Sequence, residues 1–334
     1  MINHILAYPS GIPFDNPIIR FYGIIVVFSA LTSAFLSNYR AHKDGYSWQF
    51  LSSLFIPVFL IAIVGARTWY VIASFKTEFI SEPWYKVFFI WEGGIAIQGG
   101  VIAGVIAGVA LVLTRRKGAP ILRVADFIVP TLLISQFIGR WGNFFNQEVY
   151  GHNVALDAWS FLPSFITNNM GTSGMLSSGT IWAPLFAVEA VANLMFYFLI
   201  AYALPAVLGK HYKDGDTAFA YFIAYGLVRM ILEPLRNPAY IMGVSTDGGN
   251  IKNYKSFIMA IIFIGVGVIA IVLNHVLRHF LKGTKFDKFI NQVGYSEEYV
   301  TENVNVKEED IGSIDESKLE QFEELNKKGD EKDD

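Results

Sequence analysis

SFIMAIIFIGVGVIAIVLNHVLRHF, residues 256 to 280, carries no charged side chain before Arg278. A hydrocarbon layer roughly 30 Å thick needs about 20 apolar residues of helix, and this run supplies them. Working outward, six more runs of that length lie near 17 to 38, 48 to 73, 93 to 114, 121 to 140, 181 to 206 and 217 to 235. Peptide groups in lipid must be hydrogen-bonded internally, and runs this long suit helices, not the shorter alternating strands of a barrel. The expected fold is an all-α integral membrane protein, a bundle of about seven transmembrane helices. Composition agrees: 53% of the 334 residues are hydrophobic and 16% charged, and the mean hydropathy is +0.40, too apolar for a water-soluble domain of this length.

Lys and Arg in the connections orient the bundle. Arg40 and Lys43 follow the first run, Arg115, Arg116 and Lys117 the third, Lys210 and Lys213 the fifth, and Arg278, Lys282, Lys285 and Lys288 the seventh, whereas the connection 141 to 180 has neither residue type. By the positive-inside rule the N-terminus is outside and the C-terminus cytoplasmic. The net charge of −3 hides two opposed regions, because residues 296 to 334 hold 15 acidic and 5 basic side chains while the remainder holds 14 and 21. So polar a tail cannot bury enough apolar surface to offset its ordering entropy, and it is expected to be disordered apart from a short helix near 319 to 325. The chain thus divides into a membrane body, 1 to 288, and an acidic cytoplasmic tail, 289 to 334. The first 16 residues lack a basic n-region and a small-residue cleavage site, so the first span is expected to be retained. There is no cysteine, which excludes a disulfide framework or a thiolate nucleophile in the chain itself.

The third run contains GGVIAGVIAG, placing Gly100, Gly104 and Gly108 in a doubled small-xxx-small ridge that lets another helix approach closely. Ionisable residues inside spans are costly and mark function or a paired structural contact. With the runs oriented, Arg20, Tyr22, Arg67, Tyr70, Glu92, Gln98, Arg140, Asn143, Asn146, Glu148, Glu189, Arg229, Glu233 and Arg236 all fall in the outer half. The inner halves read as almost free of such residues, which snorkelling of single charges to the interface explains poorly.

The densest part is GRWGNFFNQEVYG, 139 to 151, where Gly139 and Gly142 flank Arg140 and permit close backbone approach. As bare composition it also fits a turn with interface anchors. In YGLVRMILEPLRNP, Arg229, Glu233 and Arg236 share one helix face, and Pro234 should kink or end that helix. There the glutamate either serves the site or only neutralises the arginines. A guanidinium grips a phosphate with two parallel hydrogen bonds, so arginines from two helices point to an outward-facing site for an anionic lipid. The residues alone do not reach a reaction.

At these positions the chain resembles the bacterial phosphatidylglycerol:prolipoprotein diacylglyceryl transferases. GRWGNFFNQEVYG is similar to that family's signature block, supported in order by RFYG (20 to 23), GAR (65 to 67) with Tyr70, WEGGIAIQGGVIAG (91 to 104), DFIVP (126 to 130) and VRMILEPLR (228 to 236). The resemblance covers roughly 15 to 280 and leaves out the tail. It implies an enzyme in the bacterial cell membrane that moves a diacylglyceryl group from phosphatidylglycerol to the lipobox cysteine of a prolipoprotein signal peptide, forming a thioether and releasing glycerol phosphate. It further implies that Arg140 and Arg229 are the essential arginines, here assigned to the lipid phosphate, with Asn143, Tyr22, Glu233 and Arg236 as further lipid-binding positions. Arg67, Tyr70, Asn146, Glu189, Gly99, Gly100, Gly139 and Gly142 are supporting residues.

One departure stands out. Where many family members have histidine, this chain has Gln98, and an amide cannot act as a general base. The remaining routes to a thiolate are the field of the arginines, with Gln98 orienting substrate, or Glu148 as base. No metal-ligand spacing occurs, and neither cofactor nor nucleic-acid partner is expected; beyond its two substrates only membrane lipids are anticipated. The rival readings are a transporter or flippase for an anionic lipid or solute, and a membrane scaffold whose tail binds partners. A transporter would place its site near the midplane within a repeat, and no repeat is evident.

Overall fold

A computed structural model describes residues 11–12, 19–80, 82–89, 93–114, 120–237, 245–247, 250–252 and 255–281. The acidic tail, Glu92, the Arg115–Arg116–Lys117 cluster and Lys282, Lys285 and Lys288 lie outside the described residues. The helices are α1 (Phe21–Lys43), α2 (Trp48–Ser74), α3 (Ile97–Thr114), α4 (Ile121–Ile128), α5 (Leu132–Phe145), α6 (Ser164–Asn169), α7 (Ser173–Ser177), α8 (Leu185–Phe198), α9 (Leu204–Leu208), α10 (Asp216–Leu232) and α11 (Lys255–Phe280). Among the described residues six stretches are long and apolar enough to cross a membrane: Phe21–Lys43, Trp48–Phe79, Ile121–Phe145, Leu185–His211, Asp216–Leu235 and Phe257–Phe280.

The third expected run is the exception, because α3 begins at Ile97 instead of 93 and is a shorter apolar helix. Gly93 and Gly94 sit at φ of 93° and 70°, a left-handed backbone that cannot continue a right-handed helix. The fifth run likewise starts later, at Leu185, since Thr180–Trp182 is spent on a strand (β4). Pro130 interrupts α4 and α5 with a 3-10 turn, Val129–Thr131, and Pro234 ends α10 in another, Glu233–Leu235. A π-turn, Leu199–Ala203, divides α8 from α9.

Small residues set the helix contacts. The glycine ridge of α3 lies on α2: a Cβ at Gly99 would strike Gly65 O and Trp69 Cβ, both at 2.3 Å, and one at Gly100 would sit 3.3 Å from Ala62 O. Gly226 of α10 meets Ala260 O of α11 at 2.7 Å in the same way. Helix α1 approaches α5 along buried Ser29, Ser33 and Ser37, one turn apart. Ser33 and Ser37 hydrogen-bond Thr131 Oγ1 at 2.7 and 2.9 Å, and Ser135 donates to Ser29 O. Without water to expel, packing of this kind joins helices in a membrane.

One end of the bundle holds the ends of α5 and α10 and the starts of α1 and α8. Over it, residues 146 to 184 fold into a cap of two short helices and an antiparallel pair, β3 (Asn153–Ala155) with β4 (Thr180–Trp182). Its apolar core is Ile166, Met170 and Ile181 against Phe144 and Phe186 of the membrane helices. The opposite end corrects the expectation of a nearly charge-free inner half. There Asp126, fully buried, accepts from the N–H groups of Gly215 and Ala218 and the hydroxyls of Tyr212 and Thr217. Burial first, then Asp126, push the Tyr212 phenol above its ordinary range and keep it a donor. Arg123 pairs with Asp44 and, at 3.1 Å, with Asp214, while buried Asp216 meets His275 at 3.0 Å. A buried carboxylate is tolerated only when so completely hydrogen-bonded, and this cluster ties α1, α4, α10 and α11 together away from the cap.

Candidate functional site

Three elements deliver arginine to the capped end: α5 with Arg140, α10 with Arg229, and the extended backbone after Pro234 with Arg236. Two buried carboxylates join them. Glu189, on the second turn of α8, accepts from Arg140 Nη2 at 2.5 Å and from Arg236 Nη2 at 2.9 Å. Glu233 faces Arg229 Nη2 at 3.0 Å and Arg236 Nε at 3.6 Å, as ion pairs without an aligned hydrogen bond. The result is an unbroken chain, Arg140–Glu189–Arg236–Glu233–Arg229. Burial lowers the proton affinity of Arg236; Glu189 and Glu233 oppose that, while Arg229 and Arg140 reinforce it. An arginine stays charged under such a pull.

From Arg140 the network continues outward. Arg140 Nη1 donates to Asn143 Oδ1 at 3.1 Å, and Asn143 Nδ2 donates to Glu148 Oε1 at 3.0 Å, joined there by Asn146 Nδ2 at 3.4 Å. The second oxygen of Glu148 has no partner among the described residues. Glu148 is held on a strained turn, with Gln147 at φ 52° and Val149 at φ 59°, backbone that a β-branched residue rarely adopts. Asn169 of the cap steadies it, donating to Phe144 O and accepting from Gln147 Nε2. Beyond it, Gly151 pairs with Arg236 in a β-bridge, and His152 N–H donates to Leu235 O, so the turn and the end of α10 are one unit.

A family model described as prolipoprotein diacylglyceryl transferase matches residues 12–273. Similar proteins named phosphatidylglycerol–prolipoprotein diacylglyceryl transferase include one from Oceanobacillus iheyensis, 33% identical over 74% of this chain and 83% of its own. One from Lysinibacillus sphaericus is 33% identical over 82% and 93%, and one from Staphylococcus carnosus 32% identical over 79% and 90%. The chain belongs to the prolipoprotein diacylglyceryl transferase family.

In this transferase fold the remaining sequence candidates separate by what they touch. The Tyr22 ring packs against Gly142, where an added Cβ would be 2.7 Å from Tyr22 Cδ2, so Gly142 gives the close approach expected of it. Gly139 does not: a Cβ there would meet nothing within 4 Å, and the residue fronts open space. Arg67 is wholly engaged by backbone, donating to the carbonyls of Lys86, Val87, Gly93 and Gly94 at 2.8 to 2.9 Å. Tyr70 donates to Glu78. These two residues fasten the α2–α3 connection, where Gly94 leaves no room for a side chain beside them. Gln98 is exposed on α3 and makes no hydrogen bond to the arginine chain among the described residues. Sequence reasoning missed Gln136, Asn193 and Tyr221, which lie one to two turns beneath the ion pairs; neutral polar residues in an apolar run carry no charge to draw attention.

Proposed function

We propose that the chain transfers the diacylglyceryl group of phosphatidylglycerol to the cysteine thiol of a prolipoprotein lipobox. The observation that carries this reading is the linkage of Arg140 and Arg229, from two helices, in one buried network, in a chain whose relatives are phosphatidylglycerol–prolipoprotein diacylglyceryl transferases. The cysteine sulfur attacks the glyceryl carbon next to the phosphate, the S–C bond forms as the C–O bond breaks, and glycerol phosphate leaves with the bonding pair. Arg140 and Arg229 hold the phosphate and stabilise the charge it gains on leaving. The thiol proton goes to solvent or to Oε2 of Glu148, the oxygen that Asn143 and Asn146 leave free to accept it. A reference thiol of pKa about 8.5 is already partly ionised near neutrality, and a guanidinium field increases that fraction. Gln98 orients substrate without taking a proton, and Asn143, Tyr22, Glu233 and Arg236 complete the lipid site.

The topology that fits is seven spans with the N-terminus outside, the acidic tail in the cytoplasm, and the site toward the extracytoplasmic face of the bacterial cell membrane. The basic connections favour it, since Arg40, Lys43, Lys210, Lys213 and Arg278 all lie at the end away from the cap. The test is incubation of the purified chain with labelled phosphatidylglycerol and a lipobox peptide carrying Cys or Ser at the acceptor. Label on the Cys peptide alone is expected; saturable lipid flux across liposomes with no labelled peptide would replace transfer with transport.

A further inference from the structure

Beneath the ion pairs lies a second polar layer. Helix α5 ends and α8 begins at the capped end, so they run antiparallel, and the Arg140–Glu189 pair fixes their register. Gln136, four residues before Arg140, is therefore level with Asn193, four after Glu189. One turn deeper again, Leu133 and Tyr197 belong to one apolar cluster, which closes the layer from below. Gln136 Nε2 donates to Tyr221 of α10 at 2.8 Å, but its Oε1 is buried with no hydrogen-bond partner among the described residues. Asn193 is only 1% exposed, and neither its Nδ2 nor its Oδ1 has a hydrogen-bond partner among the described residues. Unmatched carboxamides in a low-dielectric interior are unfavourable unless a guest completes them. On the same stripe of α5, between Gln136 and Arg140, a Cβ at Gly139 would meet nothing within 4 Å, so the helix surface at that level is not filled by a neighbouring side chain.

The unmet set is one donor and two acceptor oxygens, and its chemistry is selective. Ester carbonyls only accept, and would leave both oxygens unanswered. An ammonium only donates, and would leave Asn193 Nδ2 unanswered. Alcohol hydroxyls do both. We propose that Gln136 and Asn193 select the headgroup of the donor lipid by receiving the hydroxyls of its glycerol while Arg140 and Arg229 hold its phosphate. This rests on the transfer reading above and adds to it the layer that distinguishes a polyol headgroup from other anionic phospholipids.

The test compares phosphatidylglycerol with phosphatidylpropanol, which carries the same charge and carbon count without hydroxyls, using the full chain and a lipobox peptide. The unsubstituted protein should prefer phosphatidylglycerol in kcat/KM by about tenfold or more, the effect of one or two completed hydrogen bonds. Asn193→Leu and Gln136→Met, close in shape, should bring that ratio to about one, since both lipids then meet the same apolar wall. In lipid-free detergent Asn193→Leu should unfold no lower than the unsubstituted chain, as it deletes an unmatched group, and added phosphatidylglycerol should protect it less. A preference that survives both substitutions, or one absent from the unsubstituted protein, overturns the headgroup assignment alone. Transfer from neither lipid overturns the transfer reading as well.

Discussion

Glu189→Gln is the most informative single substitution. The carboxylate is 3% exposed and accepts from two guanidinium groups, Arg140 at 2.5 Å and Arg236 at 2.9 Å. Glutamine keeps one acceptor oxygen and presents an NH2 to the other cation, so one charge-assisted hydrogen bond is lost outright and the other becomes neutral on one side. A hydrogen bond to a charged group contributes about 1.5 to 3 kcal/mol, and leaving a buried ion unpaired raises the loss to about 3 to 5 kcal/mol. Arg236 retains Glu233 at 3.6 Å, which places the expected loss at the lower end, about 3 kcal/mol. The same change frees Arg140 from its tether on α8, and a reacting group misplaced by about 1 Å costs on the order of 100-fold in rate. Thermal unfolding of the detergent-purified protein and kcat/KM for transfer to a lipobox peptide read the two effects separately. Glu189→Asp, which keeps the charge but is one methylene short, should fall between. A Glu189→Gln protein that unfolds and transfers like the unsubstituted chain would show that this bridge neither holds the helices nor aims Arg140.

Gly142→Ala forces a methyl against the Tyr22 ring and should cost about 1 kcal/mol with a loss of transfer, read by thermal unfolding and kcat/KM; Gly139→Ala, with open space before it, should leave the unfolding temperature in place. Val149→Asn should raise stability by about 1 kcal/mol, because asparagine tolerates the left-handed backbone that valine resists, and denaturant or thermal unfolding checks the sign. Arg67→Lys replaces a fork serving four carbonyls with a single ammonium and should expose residues 82 to 94 to limited proteolysis far faster than in the unsubstituted chain. If the cleavage rate does not change, Arg67 does not fasten that connection.

Helix positions were legible in the sequence because lipid demands length and apolarity together, and residues 256 to 280 or 48 to 73 satisfy both without ambiguity. Their ends were less so. The third run is continuous in hydropathy from 93, yet α3 starts at Ile97, since hydropathy does not register the positive φ of Gly93 and Gly94. Charge drew attention to Arg140, Glu189, Arg229, Glu233 and Arg236, and they do join one network, but the order of the links depends on how three elements meet and on where Pro234 ends α10. Asp126 escaped notice as a buried charge because its partners, Tyr212, Gly215, Thr217 and Ala218, lie more than eighty residues away. The serine stripe of α1 was invisible for a simpler reason: serines one turn apart in an apolar helix scarcely change its hydropathy.

Why Arg140 and Arg229, among the arginines at this end, should meet the lipid follows from what each has left to give and from whether a ligand can reach it. A guanidinium has five N–H donors and can grip a phosphate only with donors left over. Arg67 gives four bonds to backbone carbonyls and has little left. The Arg236 side chain makes one hydrogen bond among the described residues, to Glu189, but it is wedged between two carboxylates and 7% exposed, against 20% for Arg140 and 17% for Arg229, so a ligand cannot reach it. Arg140 spends two nitrogens and keeps Nε unpartnered, and Arg229 engages Glu233 through Nη2 alone among the described residues. Arg236 thus serves as the shared post that sets the spacing of the two cations beside it. On these grounds Arg236→Lys should weaken the fold and transfer together, whereas Arg229→Lys should reduce transfer with a much smaller change in unfolding temperature. Equal damage to folding from both substitutions would place Arg229 in the scaffold and remove it from the lipid site.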